Sequence, residues 1–564
     1  MRPVLRFGSV IVLISSVLAS APTHVGAAEL AFSRADFSSG LLALAHLASD
    51  GAFSGGAGQV DNVSCTSTGA PYADFALSCD GPLSPEDETP IVADPENPNH
   101  LLAGSNDYQL VFKDGTLLAR VPTGFFVSFD GGRTWTDGQI PMGSGGGGGN
   151  GDPAPAFDAK YDTAHMVQLN AGCGNGGQFF CGNISITISN SIDGGRTWGN
   201  PVVIAQGSGS FTPSAAGVFN DKPWLVADND PSSRFFGRLY VTFTRFVLSK
   251  FGLVEAPIYL STSDDAGRSW TTPKEISGVN GTYCTVMISG AAGACNIDQF
   301  STVVTLPGGG VVVHFKNAQH AAAWETPDEF ENQTMAVRST NGGKTWSAPV
   351  HIADLEDAVP EDYPRNADGR GTQTGFQFRT QTVQGMTVDS GTGYLYAFWT
   401  DNRDGTRDTG GTAITHTNVF MTKSVDGGVT WTAPSRVTSG PADKWMAWGA
   451  AQGGVVKVMY MDASYVYPAR DRYGITLATS RNGGSSWSFR RVDSGLSNPN
   501  NSLWFRAHVE GCDLCSLFIG DYNGMAIDSL GRTHIVWTDM RRIAVVPALG
   551  NRTGAPSEVF YARR

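Results

Sequence analysis

An aspartate stands at the head of one apolar run after another along this chain. Asp87, Asp221, Asp298, Asp443 and Asp521 each lie seven residues before the turn that follows such a run, and Asp152 lies six before Asp158. One run opens on Thr382 instead. Carboxylates at a recurring place either cap the amides of an entry turn or form a collar for a cation or a hydroxyl-rich ligand. A second group is basic: Arg365, Arg370 and Arg379 precede one run, and Arg403 and Arg407 follow the next strand. Guanidinium groups capture anions through paired N–H donors. Glu361, Asp362, Asp368, Asp401, Asp404 and Asp408 are interleaved with them, which also suits solvated ion pairs. Eight cysteines fall into near-neighbour pairs: Cys65 with Cys79, Cys173 with Cys181, Cys284 with Cys295, and Cys512 with Cys515. Sequential disulfides closing four short loops are the natural reading in an exported chain. For the Cys512-Asp513-Leu514-Cys515 string a redox or zinc pair is the alternative, although no second such string or His-rich partner accompanies it.

Short β-prone runs must position these residues. Trp224-Leu225-Val226-Ala227-Asp228 and Met525-Ala526-Ile527-Asp528 are examples of the first run, and Leu239-Tyr240-Val241-Thr242-Phe243 and His534-Ile535-Val536-Trp537 of a second. Both kinds are rich in β-branched and aromatic residues and bounded by turn chemistry, so they read as buried strands. A third strand then runs into an eight-residue pattern, Ser-x-Asp-x-Gly-x-Thr-Trp. The pattern begins at Ser128, Ser191, Ser263, Ser339, Ser424 and Ser480, at intervals of 56 to 85 residues. Asn341 and Asn482 replace its Asp, and Ser269 and Ser486 its Thr. Asp-Gly and Asn-Gly between β-prone flanks favour a tight turn, because glycine accepts positive φ, and the Trp anchors it. A fourth strand leaves the turn. Four strands per repeat predict a propeller blade. Residues 521–538 repeat the first two strands once more, and Glu558-Val559-Phe560-Tyr561 supplies a third before the chain stops. The expectation is an all-β fold: a single propeller of seven blades, the last closed by a strand from the N-terminal segment. Six or eight blades are the competing counts.

The repeated turn resembles the Asp box, or bacterial neuraminidase repeat, of sialidases and other secreted propellers. The resemblance implies that the boxes lie between the two outer strands on the bottom face, away from any active site, so Asp130, Asp193, Asp265 and Asp426 are structural. The longer insertions, at 170–182, 278–298, 355–381, 401–418 and 494–521, then fall on the top face. There the acids Asp87, Asp221, Asp298 and Asp443 would ring the channel mouth, with Arg365, Arg370, Arg379 and Arg403 as further binding candidates. Sialidases use three arginines to hold the sugar carboxylate, a Tyr activated by a Glu as nucleophile, and an Asp as acid/base. Glu510, Asp521 and Tyr522, around the last cysteine pair, are the residues that could fill the catalytic places. The family's Phe/Tyr-Arg-Ile-Pro motif has no match; the nearest string, Arg120-Val121-Pro122, directly precedes the first box strand. Sialidase catalytic domains also have six blades. The resemblance therefore implies a carbohydrate-active or carbohydrate-binding propeller, as an enzyme a sialidase-like glycoside hydrolase or a related polysaccharide-cleaving one. The alternative is a non-catalytic propeller that binds a protein, a glycan or a cation. A glycan or glycoconjugate is the expected partner. No cofactor is required, and a structural Ca2+ or other cation would suit the top face.

Composition agrees with export. Arg2 and Arg6 precede an apolar run from Val10 to Leu18, and small residues at Gly26, Ala27 and Ala28 suggest cleavage there, so residues 1–28 read as a signal peptide. Residues 29–86 form an N-terminal segment and 87–564 the propeller. The product would be secreted or periplasmic. Loss of the two arginines takes the formal charge from −13 to −15. Such acidity repels nucleic acid and anionic membranes, and no later run is long enough to span a bilayer. Seventy glycines and few charged residues suit a turn-rich β fold.

Overall fold

The computed structural model describes residues 64–70, 72–113, 116–142, 148–172, 184–208, 216–326, 330–510, 512, 514–547 and 550–564. The expected signal peptide and the pair Cys173 and Cys181 lie outside the described residues. Seven antiparallel sheets, each built on four strands, form the blades, and in the first six those strands follow one another in chain order. Their inner strands are Ile91–Ala93 (preceded by Glu86–Asp87), Gly148–Asp158, Gly217–Ala227, Asp298–Leu306, Val383–Val388, Lys444–Gln452 and Gly524–Ile527. Each touches the next, and the seventh touches the first, so the ring is closed. Seven is the blade count; six and eight are excluded.

Strand register fixes which end of a blade is which. In blade three, Ser263 of the eight-residue turn pairs with Leu239, and Leu239 pairs with Ala227, the last residue of the inner strand. Asp221 lies toward the other end of that strand. The six turns and the strand-entry acids therefore occupy opposite ends of the blades. Each turn is chemically closed on itself. In the first, Ser128 Oγ donates to Asp130 Oδ1 at 3.0 Å while accepting from Gly132 N at 2.9 Å. Asp130 Oδ1 also accepts from Thr134 N, and Oδ2 from Thr134 Oγ1 at 2.7 Å. Asn341 and Asn482 keep the geometry by donating from Nδ2 to Thr345 Oγ1 and Ser486 Oγ. With both carboxylate oxygens engaged by the turn, these residues hold backbone, as expected.

The last blade borrows its outer strand. Asp74–Ala76 pairs with Glu558–Arg563, completing a sheet whose other strands come from the C-terminal end of the chain. Just before it, Cys65–Thr68 pairs with Thr134–Gln139 as an extra edge strand on blade one. One N-terminal segment thus spans the junction of blades one and seven. A disulfide joins Cys65 to Cys79 across it, and disulfides join Cys284 to Cys295 and Cys512 to Cys515. Apolar side chains fill the junction much as they fill the other blade interfaces: Leu77, Leu101, Phe126, Trp135, Val536, Val559 and Tyr561 are buried together. The Tyr561 ring meets Trp135 at 4.9 Å and Phe75 at 5.7 Å, and its hydroxyl meets His534 Nδ1 at 2.8 Å. Burying such rings contributes roughly 1.5–3 kcal/mol each.

A repeated strut braces blades five and seven. In Trp399-Thr400-Asp401-Asn402-Arg403 and Trp537-Thr538-Asp539-Met540-Arg541 the indole donates to the Asp, and the Arg pairs with the same Asp. The guanidinium then stacks on Phe420 or Phe560, at 4.3 and 4.4 Å from the ring centre. Arg541 additionally holds Asp74 of the closing strand at 2.6 Å.

Candidate functional site at the upper end of the channel

Six of the seven inner strands carry a residue of positive φ close to their start: Glu88, Asp152, Lys222, Phe300, Gly385 and Met446. The pairing with the second strand slips at the same place in blades two to six. A bulge of this kind bends a strand and re-aims its side chains. Aligned on that marker, the aspartates do not share one position. Asp87 and Asp221 precede the left-handed residue by one, Asp298 by two and Asp443 by three, while Asp152 occupies it. A single spacing in sequence becomes several orientations in space.

The consequences are visible in the partners. Asp298 is buried, accepts from Asn317 Nδ2 at 2.6 Å and serves its own blade entry. Asp443 accepts from Thr415 Oγ1 and Thr417 N at 2.9 Å each, and pairs with Arg470 at 2.8 Å. These two act as caps. Asp87 and Asp221 instead belong to a group on the axis, together with Glu88, Asp152, Lys222, Arg379, Asp521 and Tyr522. Asn106 Nδ2 links Asp87 Oδ1 and Glu88 Oε2, at 2.9 and 3.0 Å, and its own oxygen accepts from Asp152 N at 2.8 Å. Tyr108 Oη donates to Asp87 Oδ1 at 3.3 Å, and Glu88 Oε1 accepts from Asp521 N at 3.3 Å. Arg379 grips Asp521 with two N–H groups, Nε to Oδ1 at 2.9 Å and Nη2 to Oδ2 at 2.5 Å, and stacks on Phe518.

Lys222 stands out within this group. Its ammonium lies 3.5 Å from the centre of the Tyr522 ring and 4.7 Å from that of Trp224, and it has no hydrogen-bond acceptor among the described residues. Burial lowers its proton affinity, while Asp152, Glu88, Asp521 and Asp221 act in the opposite direction. Burial pushes the Glu88 carboxyl well above the usual range, and the charges of Asp152, Asp521 and Asp87 push it further. Asp87 is raised too, by burial first, with Asn106 opposing. The Tyr522 phenol is likewise raised by burial and by Glu88, Asp152 and Asp521, and it donates to Pro153 O at 3.0 Å. Beside Lys222, the Trp224 and Trp448 rings of blades three and six meet across the ring of blades at 4.9 Å. Gly385 permits this: a Cβ there would sit 3.1 Å from Trp448. The arrangement is a buried, mostly acidic chamber of packed side chains with two cations, able to hold a proton on one carboxyl beside charged neighbours.

The other expected residues lie elsewhere. Glu510 is exposed, whereas Tyr522 is buried; the carboxylates that act on Tyr522 come from Glu88, Asp152, Asp521 and Asp87. The separation follows from chain path, since Glu510 sits in the Cys512 loop and Tyr522 at the start of an inner strand. The arginines do not converge. Arg365 is exposed and bonds Val359 O, Arg403 is the strut to Asp401, and Arg407 is exposed and bonds Gly411 O. Arg370 is half-buried, its backbone held by Asn366 Oδ1. Arg379 alone of the five joins the axial chamber. Glu88 and Lys222 were not singled out by the sequence reading. Their signal is slight: each directly follows an entry aspartate, Asp87 or Asp221.

No protein-family model matches this chain, and no curated protein matches it. Solved structures do. A protein of unknown function from Dyadobacter fermentans is 13% identical, over 73% of this chain and 93% of that one, with a TM-score of 0.39. The Hadza microbial sialidase Hz136 is 12% identical, over 88% and 94% of the two chains, with a TM-score of 0.40. The GH93 α-L-arabinofuranosidase of Fusarium graminearum is 11% identical, over 84% and 92%, with a TM-score of 0.38. Similarity of this size says nothing of the chemistry of this chain.

Proposed function

We propose that the protein is an exported, carbohydrate-active propeller whose axial chamber is the site, working as a glycoside hydrolase through carboxylate acid–base chemistry. The observation that supports it is the convergence of Glu88, Asp152 and Asp521 with Tyr522, Lys222 and Arg379 at the end of the channel opposite the eight-residue turns. Two carboxyl groups in unlike environments are what glycoside cleavage needs, one to give a proton and one to act as base or nucleophile. Glu88, kept protonated by burial and by its neighbours, takes the acid role. Asp521, aligned by the Arg379 fork, takes the other, and Tyr522 lies against Lys222 with the Glu88 charge acting on its phenol. The clamp of three arginines that an anionic sugar requires is not assembled among the described residues, so a neutral, hydroxyl-rich glycan is the favoured substrate. Export to an oxidising compartment accords with the three disulfides found among the described residues. No helix among the described residues is long and apolar enough to cross a membrane.

The test is turnover by the full chain on a panel of fluorogenic glycosides, with a sialoside and an arabinofuranoside among them. Cleavage by the parent, with Glu88→Gln slower by about 10²- to 10⁴-fold, supports the reading, since that is the usual contribution of a positioned proton donor. Cleavage undiminished in Glu88→Gln removes the chamber from the chemistry. One observation favours a second reading, a non-catalytic propeller binding protein, glycan or cation: the chamber side chains are all buried. Inactivity across the panel, with retention on a glycan array, selects it.

A further inference from the structure

Four carboxylates meet without a cation where the N-terminal segment crosses blade one. One oxygen each from Asp80, Glu86 and Asp137 lies within 4.8 Å of the others. Asp107, wholly buried, pairs in register with Glu86 and faces the same spot: its charge acts on Glu86, and those of Asp80 and Asp137 act on it. The strand below makes room at Gly124, where a Cβ would sit 3.2 Å from Asp107 Cβ and 3.3 Å from Glu86 Oε1.

Neutral groups satisfy part of this set. Ser105 Oγ and Ser78 Oγ donate to Glu86, Gln139 Nε2 donates to Asp107 Oδ2 at 2.7 Å, and Cys79 N donates to Asp137 Oδ2 at 3.1 Å. Two buried oxygens are left over: Asp107 Oδ1 and Asp80 Oδ1 have no hydrogen-bond partner among the described residues. No Lys, Arg or His pairs with any of the four among the described residues; the neighbouring Arg541 and Arg542 are committed to Asp74, Asp539 and Glu558. Burial and mutual repulsion raise the carboxyls of Glu86, Asp107 and Asp137 well above the usual range, and burial raises Asp80 to about 6.

We propose that Asp80, Glu86, Asp107 and Asp137 bind one Ca2+ ion that clamps the N-terminal segment to blade one and so locks the ring. The donors are hard oxygens only; the nearby sulfurs of Cys65 and Cys79 are spent in a disulfide, which removes the thiolates that zinc or copper would favour. Multiple carboxylates in an irregular, flexible arrangement suit Ca2+ over octahedral Mg2+. Asp80 follows directly on the strand that closes blade seven, whereas Glu86 lies in the short strand that pairs with blade one, and Asp107 and Asp137 belong to the second and fourth strands of that blade. The ion would therefore act beside the Cys65–Cys79 disulfide at the one junction where the ring depends on a distant part of the chain. This site is separate from the axial chamber and does not rest on the proposed activity.

The experiment uses the full chain stripped with chelator and desalted. Expected on adding CaCl2 are a saturable heat by calorimetry and a melting temperature that climbs with the logarithm of Ca2+ concentration. Deuterium exchange should slow in peptides covering 64–87, 101–107 and 123–139. Asp107→Asn should weaken Ca2+ at least as much as loss of an outer-shell partner does, about 10- to 100-fold. Asp80→Asn, at a half-buried position, should do likewise and serves if Asp107→Asn does not fold. Absence of any Ca2+ response overturns the proposal. So does an equal response to MgCl2, or a Ca2+ response that survives intact in the foldable variants, which would place the ion at another acid group such as Glu325, Glu331 and Glu356.

Discussion

Arg379→Met is the sharpest test of the axial chamber. The substitution keeps most of the side-chain volume but removes the fork that holds Asp521, a carboxylate with no exposed surface. Asp521 would then face Glu88 and Asp87, whose own proton affinities its charge already raises, without a guanidinium. Breaking a buried pair from one side costs about 3–5 kcal/mol, because the remaining charge stays desolvated. Loss of the stacking on Phe518, 4.6 Å from the guanidinium, adds about 0.5–2 kcal/mol. Adding Asp521→Asn removes the stranded charge, so the double variant should recover most of the first loss and keep the second. Urea unfolding followed by tryptophan fluorescence measures both. A loss for Arg379→Met below about 1 kcal/mol, the range for exposed pairs, would show that the pair is wet. A double variant no more stable than the single one would refute the idea of a stranded charge.

Other outcomes follow from the same geometry. Glu88 holds its proton in the folded chain at pH values where the unfolded chain, near 4.5, has lost it; stability therefore declines as pH rises above that value, and Glu88→Gln should flatten the decline in a pH series of melting temperatures. The turn aspartates behave in the opposite sense. Side-chain and backbone bonds from Thr430 hold Asp426 at about 2, below its usual 3.8, so its stabilising contribution is present above pH 4 and is lost as pH falls toward 2; Asp426→Asn should keep the turn, as Asn341 and Asn482 do, and blunt that acid loss. Gly524→Ala should destabilise by about 1–3 kcal/mol, because its Cβ would lie 2.5 Å from Thr89 O and 2.7 Å from Ile91 N, forcing apart the inner strands of blades seven and one. Replacing Cys65 and Cys79 by serine should lower the unfolding free energy in urea by about 2–4 kcal/mol, and should raise deuterium exchange first in Asp74–Ala76.

Much of the scaffold was legible because it rests on local rules. The turns repeat, since each needs a Ser, an Asp or Asn, a Gly and a Thr or Ser within eight residues, and the bonds that close the first are made inside that window. The alternating apolar runs mark the strands for the same reason. The count of six turns against seven strand sets pointed to a ring finished by a strand from elsewhere. The site was far less legible. The entry aspartates look equivalent in sequence, but bulges of different phase send Asp298 and Asp443 into blade-entry caps and Asp87 to the axis. Nor does closeness in sequence measure closeness in space: Glu510 lies twelve residues from Tyr522 and is exposed, while Glu88, more than four hundred residues away, acts on its phenol.

By itself, then, the sequence determined the repeat, the direction of each strand and the end of the blade that carries self-contained turns, because these follow from backbone preferences and side-chain bonds within a few residues. Tertiary structure alone decided the partner of Asp74–Ala76, the meeting of Glu88 with Tyr522 and Lys222, and the gathering of Asp80, Glu86, Asp107 and Asp137, and it settled the blade count that the sequence had put at seven against six or eight. Those depend on ring closure, which brings the first and last blades into contact. Charge–charge energy then falls on whichever side chains the bulges aim at one another, and no local pattern records that.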